Sequence, residues 1–387
     1  MAIDQRLIID EATIKRLDTV WQGAVERGRI VGGVLLLAQD GVVRYASARG
    51  WADREAEIAV TREHRFRLAS LTKLITSVCV LRLQEHGMLR LNDAVTRWLP
   101  DFVPRLVNGV APIITLRHLL SHTSGLAYGF GLPRGNAYEQ AGVSDGLDIV
   151  AFDQAENLKR LASVPLLFEP GSAWCYSVAT DVLGVVIERV TGMTLPEAIA
   201  HWVTRPLGMS ASGFHVAGPQ ALASAYKDHA DLPTRMGRTD ELLLENGRAR
   251  VSACRHTNPQ AWPSGGAGMV GSADDYLRLL ECLRQGGAPL LSHASTSGLL
   301  SNAIGDVLIE GRGPGWKFGL GPLLLTDPAQ AGQLQGVGTW SWCGVYGCHY
   351  WVDPQAGVSL IAMTNTAVAG AWGEFPDALV AAIYRRD

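Results

Sequence analysis

Residues 67–76 read RLASLTKLIT, and the fold of the whole chain turns on how Ser70 and Lys73 are read. Positions i and i+3 share a helix face, so a helix beginning at Ser70 brings its hydroxyl within reach of the Lys73 ammonium. Leu71, Leu74, Ile75, Val78 and Leu81 recur at helical spacing and predict one apolar stripe on a helix running to about Glu85. Serine is also a common N-cap, and a capping serine followed by a solvated lysine involves no chemistry. The spacing alone does not separate these two readings. The rest of the chain does.

Upstream, a helix is expected over residues 10–27. VGGVLLLAQ and VVRYASARG then flank Asp40-Gly41, a strong hairpin signal, and predict two antiparallel strands over residues 30–50. Near the other end GVGTWSWCGVYG, HYWVD and VSLIAMTN are strand-like, the last two joined by a turn over Pro354–Gly357. A final helix is expected from about Phe375 to Arg385. Between Ser70 and about Met209 the periodic signals are helical, at 71–86, 115–121, 155–162, 177–191 and 195–203. Residues 213–260 are polar and carry no assignable pattern. The expectation is an α+β fold in which both chain ends build one antiparallel sheet, flanked by terminal helices, with a mostly α-helical subdomain inserted. The corresponding domains are 1–69 with 250–387 (α/β, discontinuous) and 70–249 (mostly helical). Ser70 lies where the chain crosses between them, and clefts at such junctions commonly hold ligands.

The length of 387 residues suits two subdomains, and 47% apolar with 18% charged residues suits a well-packed globule. A net charge of −3 gives no basic field for nucleic acid or anionic lipid. The N-terminal MAIDQRLIIDEATIKRLDTVW mixes charges into helical spacing and lacks the apolar core of a secretory signal. No apolar run approaches the ~18 residues of a membrane span. Cys79, Cys175, Cys254, Cys282, Cys343 and Cys348 are scattered, as reduced thiols are. The expectation is a cytoplasmic protein with a small-molecule substrate, without cofactor, nucleic-acid or membrane partner. Its oligomeric state is not readable.

Four other patterns compete for the chemistry. GVSDG at 142–146 matches G-x-S-x-G, but no buried strand precedes it, and Ser144 reads as part of a polar surface loop. His118 and His122 have metal-pair spacing, yet Leu119 stands where HExxH needs glutamate; a helix end with imidazoles bonded to backbone is the better reading. PSGGAGM (263–269) lacks the Lys-Ser/Thr of a phosphate cradle and reads as a tight turn before a helix starting near Ser272. Cys343 and Cys348 have no second ligand pair for zinc.

Two further segments extend the opening one. Tyr176-Ser177 opens a helix with Val182, Val185, Val186 and Val190 on its apolar face and Gly192 at its end, a placement that can aim the phenol into a cleft. In TWSWCGVYG (339–347), Gly344 interrupts an aromatic strand, which marks close approach of another backbone or a ligand; a carbonyl lying there would accept the N–H of Val345.

SLTK, then Tyr-Ser opening a helix about a hundred residues on, then Trp-Cys-Gly on a late strand resemble the three-motif signature of the serine β-lactamase and penicillin-binding-protein superfamily. In detail, FRLASLTK, VTRWLPDF, LLSHTSGL, FEPGSAWCYS, PLGM, SGGAGMVGSADD and WCGVYG resemble the family VIII carboxylesterases, relatives of class C β-lactamases, and span nearly the whole chain. The resemblance implies a β-lactamase-like fold and a serine esterase acting on small acyl esters, with β-lactamase, amide hydrolase, acyltransferase or non-catalytic penicillin-binding protein as alternatives. By position it implies Ser70 as nucleophile, Lys73 and Tyr176 as acid/base partners, and the N–H groups of Ser70 and Val345 as oxyanion hole. Trp342, Gly344 and Tyr128 are the expected substrate-binding residues, and no metal is implied. Three positions depart from the lactamase pattern. Val178 replaces asparagine and Trp342 replaces lysine, removing groups that hold a β-lactam's amide and carboxylate; Cys343 stands where many of these esterases have glycine. Such chemistry requires a lysine of lowered pKa, reached by burial or a cationic or dipolar surrounding, and makes Tyr176 a phenolate candidate beside it.

Overall fold

Two stretches far apart in the chain build one sheet. In the computed structural model, which describes residues 7–385 apart from 217, 219–220 and 245–246, the first stretch gives β1 (Gly32–Gln39), β2 (Val42–Asp53) and β3 (Ile58–Ala59). The second gives β4 (Trp316–Phe318), β5 (Leu323–Leu325), β6 (Trp340–Gly344), β7 (Cys348–Asp353) and β8 (Val358–Thr364). The order is β4-β5-β6-β7-β8-β1-β2-β3, and every pairing is antiparallel. Asp40 and Gly41 both take positive φ, 53° and 84°, which suits a tight turn that follows the twist of its strands. Leu36 then faces Ala46 on one side and Ile361 on the other, joining the chain ends through β1.

Helices cover both faces of the sheet. On one, α1 (Glu11–Glu26), capped by the Asp10 carboxylate on Thr13 N, packs with the final helix (Glu374–Tyr384) over Leu35, Leu37, Val358 and Leu360. Trp21 and Phe375 meet there with ring centroids 5.6 Å apart. On the other face lie α2 (Thr72–Glu85), α3 (Ala179–Thr191) and α4 (Ala273–Arg284), in one core with Val34, Leu36, Ile361 and Met363. Here the expectation of a single apolar stripe fails. Residues Leu71 to Leu81 are buried on every side, because α2 runs between the sheet and the other helices rather than over a surface.

The sequence-based elements correspond to Glu11–Glu26, Leu116–Leu120, Gln154–Ser163, α3 and Leu195–Ile199, the last continued by a π-helical turn over Ala200–Thr204. Unassigned from sequence were β4, β5, the short helix Ala137–Ala141 and a hairpin of Asp240–Leu244 with Gly247–Val251 inside the polar 213–260 region. Residues 1–6 of the expected signal-free N-terminus, 217, 219–220 and 245–246 of the polar region, and 386–387 of the C-terminal subdomain lie outside the described residues. Among the described residues no helix is long and apolar enough to cross a membrane, and all six cysteines are free thiols.

Candidate active site

Ser70 sits in a 3-10 turn, Ala69–Leu71, that runs directly into α2. The N-cap position of α2 is Leu71, in helical conformation, and no side chain caps the first turn. The capping role is therefore excluded for Ser70. Ala69 before it is wholly buried at φ 43°, a conformation a side-chain-bearing residue adopts only under constraint from its surroundings. Part of that constraint comes from β6. A Cβ on Gly344 would lie 2.2 Å from the Leu68 carbonyl oxygen, so only glycine lets the strand end press against the serine turn. The close approach expected at Gly344 is thus to backbone, and Gly344 lies behind the pocket rather than on its wall.

Lys73, on the first turn of α2, is 1% exposed. Its Nζ donates to Tyr128 OH at 2.8 Å and to the Gly266 carbonyl at 2.9 Å, and lies 3.3 Å from Ser70 Oγ. Burial lowers its pKa to about 7 against the pull of the Asp181 carboxylate, so burial alone accounts for the lowering and no neighbouring cation contributes. Tyr176, just before α3, donates to Ser70 Oγ at 2.6 Å and accepts from Trp342 Nε1 at 3.4 Å. The Lys73 ammonium lies 4.7 Å from the Tyr176 ring centroid and 5.1 Å from that of Tyr128. Here a second expectation fails. Burial raises the Tyr176 pKa, only partly offset by its bonds to Ser70 and Trp342, so the resting group is the neutral phenol and not a phenolate.

A layer behind these residues went unread in the sequence. PSGGAGM does precede a helix capped by Ser272, but it also threads between α2 and α3. A Cβ on Gly265 would lie 2.6 Å from the Thr180 carbonyl oxygen, and Thr76 Oγ1 donates to Gly265 O at 2.8 Å. Gly266 beside it presents its carbonyl to Lys73. Asp181 on α3 accepts from Ser264 Oγ at 2.5 Å and from Gly266 N at 3.3 Å, and burial raises its pKa. Asp145, accepting from Gly129 N, is pushed up to about 7, again chiefly by burial. The legible signal was Asp181 itself, a carboxylate at the head of the apolar run VLGVVI.

The pocket in front of Ser70 holds about 80 Å³. Tyr128, Tyr176, Trp342, Cys343 and Val345 line it, together with Phe130, Leu147, Leu244, Ala267 and Trp372. Ser70, Lys73, Tyr128, Tyr176, Trp342 and Val345 are thus brought together. The Cys343 thiol is pushed up to about 11 by burial and rests protonated. Val178, which replaces a polar residue of the lactamase pattern, is 1% exposed at the start of α3.

The competing patterns fall elsewhere. Ser144 is buried, not on a surface loop: its Oγ donates to Asp148 Oδ1 at 2.5 Å and accepts from Gly146 N, while its own N–H donates to Asn157 Oδ1. The string 142–148 folds inward with its polar side chains satisfied: Ser144 bonds Asp148, and Asp145 accepts from Gly129 N. His118 accepts from Thr115 N as part of a capping box. His122, expected to bond backbone, instead pairs with Ser177 Oγ at 3.0 Å, and burial keeps its ring neutral. Among the described residues no group of three His, Cys, Asp or Glu side chains could hold a metal.

A family model described as Beta-lactamase matches residues 17–382. Esterase EstB of Burkholderia gladioli is 46% identical over 390 residues, 98% of this chain and 97% of that one. The solved structure of EstCE1, described as a hydrolase with promiscuous acyltransferase activity, matches with a TM-score of 0.94 at 42% identity, covering 97% of this chain and 99% of its own. Unliganded simvastatin synthase (LovD) from Aspergillus terreus shares the fold, with a TM-score of 0.73 at 22% identity over 97% and 98% of the two chains.

Proposed function

The chain belongs to the beta-lactamase family, and from that premise we propose a serine carboxylesterase that cleaves small neutral acyl esters through an acyl-enzyme on Ser70. One observation carries the reading: Ser70 Oγ stands between a phenol at 2.6 Å and a buried amine at 3.3 Å whose pKa is about 7. As a neutral amine, Lys73 uses its two N–H groups on Tyr128 OH and Gly266 O and turns its lone pair to the Ser70 hydroxyl. A serine hydroxyl becomes an effective nucleophile when such a base takes its proton.

Ser70 Oγ bonds to the acyl carbon as its proton passes to Lys73. The N–H groups of Ser70 and Val345, on the two segments pressed together at Gly344, hold the resulting oxyanion, a contribution of about 3 kcal/mol for one such donor. The C–O bond to the alcohol breaks and Tyr176 gives that oxygen its proton. The tyrosinate then faces the Lys73 ammonium. Water attacks the acyl carbon while losing a proton to Tyr176, and Ser70 leaves with the proton from Lys73. The charges close on the starting state. Trp342 supplies an indole where a lysine would attract a carboxylate, and Val178 offers no amide partner, so uncharged esters fit better than carboxylated β-lactams. Tyr128 acts as a wall of the substrate pocket and Gly344 shapes it from behind.

The same reading divides the chain into 1–69 with 250–387 and an inserted 70–249, the site lying between them. It places the enzyme in the cytoplasm on the strength of six unpaired thiols. Acyl transfer to an alcohol is a second reading, favoured by the apolar walls Phe130, Leu147 and Leu244 around Ser70. The deciding measurement is kcat/KM for p-nitrophenyl butyrate against a chromogenic cephalosporin, with intact-mass detection of a butyryl adduct on Ser70. Efficient ester turnover with the adduct is expected; equal turnover of the cephalosporin overturns the neutral-ester reading.

A further inference from the structure

Trp372 lies in the connection between β8 and the final helix, and it is 40% exposed although most large apolar side chains of this chain are buried. It lines the pocket of Ser70, and it also lines a second pocket of about 150 Å³ on the side of α1 and the final helix. Ala24, Ile30 and Phe375 are buried in the floor of that second pocket, with Val20 and Ala378 half-buried beside them. Its charged liners, Arg27, Arg29, Asp228 and Glu374, are all exposed. The result is an apolar chamber with a charged mouth.

Backbone bonds hold the separating segment in place. Val368 N donates to the Val345 carbonyl at 3.1 Å, tying it to the turn that lines the catalytic pocket, and Trp372 N donates back to Val368 O. Val368 has φ 65°, a conformation a β-branched residue adopts only when its surroundings impose it. The chain so fixed puts one residue, Trp372, on the lining of both pockets, the one liner they share.

We propose that Trp372 is a specificity-determining partition: it ends the substrate pocket of Ser70 and denies the aliphatic arm of an ester the chamber behind it. This rests on the esterase reading. The occupant that the chamber fits is an unbranched alkyl chain, since its floor is aliphatic and aromatic and offers no buried polar partner. An alkyl chain can belong to the acyl or to the alcohol half of the ester, and the two are separable by experiment. Removing the indole joins a space of about 80 Å³ to one of about 150 Å³. Each methylene that then leaves water favours binding by about fourfold, so even two raise the preference for longer chains by more than about tenfold.

The experiment measures kcat/KM over p-nitrophenyl esters from acetate to dodecanoate, and over n-alkyl acetates from ethyl to decyl. Wild type, Trp372→Ala and the double variant Trp372→Ala/Ala378→Trp are compared, each checked for folding by thermal unfolding. Wild type is expected to fall off beyond short chains. Trp372→Ala should raise its decanoate-to-butyrate ratio about tenfold, or the matching ratio in the alkyl series if the alcohol arm is the one blocked. Filling the chamber from the far side with Ala378→Trp should return the ratio to that of wild type. A wild type that prefers long chains in both series, an unchanged ratio in Trp372→Ala, or a gain that survives Ala378→Trp overturns the proposal. Failure of the esterase reading looks different: no wild-type turnover of any ester in either series.

Discussion

Ser70, half-buried at the pocket, and Ser144, fully buried, are both bonded to an ionisable side chain three or four residues further on. Ser70 faces an amine whose burial brings its pKa down to about 7, so that the free base is well populated near neutrality, and a phenol that donates to it. Ser144 faces the Asp148 carboxylate, to which it is the donor, and it receives the N–H of Gly146. Its hydroxyl closes a loop, and the satisfied loop is what lets the polar segment sit inside. The difference lies in what each serine's partners can do, not in the strings G-x-S-x-G and S-x-x-K. A carboxylate held by hydrogen bonds stabilises the serine's proton in place, whereas a desolvated amine draws it off.

The most severe way to break this comparison is to delete each hydroxyl in turn. Ser70→Ala should lower kcat for p-nitrophenyl butyrate by about 10⁴-fold or more, because it removes the hydroxyl from which Lys73 takes the proton and which bonds to the acyl carbon. Ser70→Ala retaining even a tenth of wild-type activity would move the nucleophile elsewhere in the chain.

A smaller effect, read against pH, tests the amine. With Lys73 held at about 7 by burial, the protonated, inactive form dominates below that pH and the free base above it. The expected kcat/KM therefore rises about tenfold per pH unit below 7 and levels off above it. Asp145 is also pushed up to about 7, so the two must be told apart. Asp145→Asn should keep the limb. A limb that vanishes in that variant assigns the titration to the carboxylate and leaves Lys73 without a role as base.

Much of the frame behind this contrast was legible locally. The Asp40-Gly41 turn, the helices around Ser70 and before Gly192, and the last two long strands announce themselves through periodicity and turn chemistry. The three-residue strands β4 and β5 are too short for a period and exist through their partners. The burial of α2 on all sides, and the inward fold around Ser144, also depend on residues far off in sequence. The same holds for the site. Ser70, Lys73 and Tyr176 sit on motifs, but the Gly266 carbonyl reaches Lys73, and Asp181 reaches the Gly266 N–H, only through the packing of PSGGAGM against α3. A phenolate at Tyr176 looked natural from its neighbours and fails because burial, which sequence does not display, outweighs them.

The mildest test of the comparison is the other serine. Ser144→Ala removes a buried donor from Asp148 and an acceptor from Gly146 N, leaving the N–H of the mutated residue on Asn157. The carboxylate retains its 3.4 Å contact with Arg250, so it is not abandoned as a lone charge. Loss of these two buried hydrogen bonds, at about 1–3 kcal/mol for each buried group left without its partner, should lower stability by at least about 1–3 kcal/mol. Ester turnover per folded molecule should change by less than about threefold, because Ser144 lines no part of the pocket of Ser70. Chemical denaturation followed by circular dichroism measures the first quantity, and kcat for p-nitrophenyl butyrate at a temperature well below the transition measures the second. The two must move apart: stability down, turnover held. A variant as stable as wild type means that the bond to Asp148 does not hold the loop. One that is folded yet inactive makes Ser144, and not only Ser70, part of the chemistry.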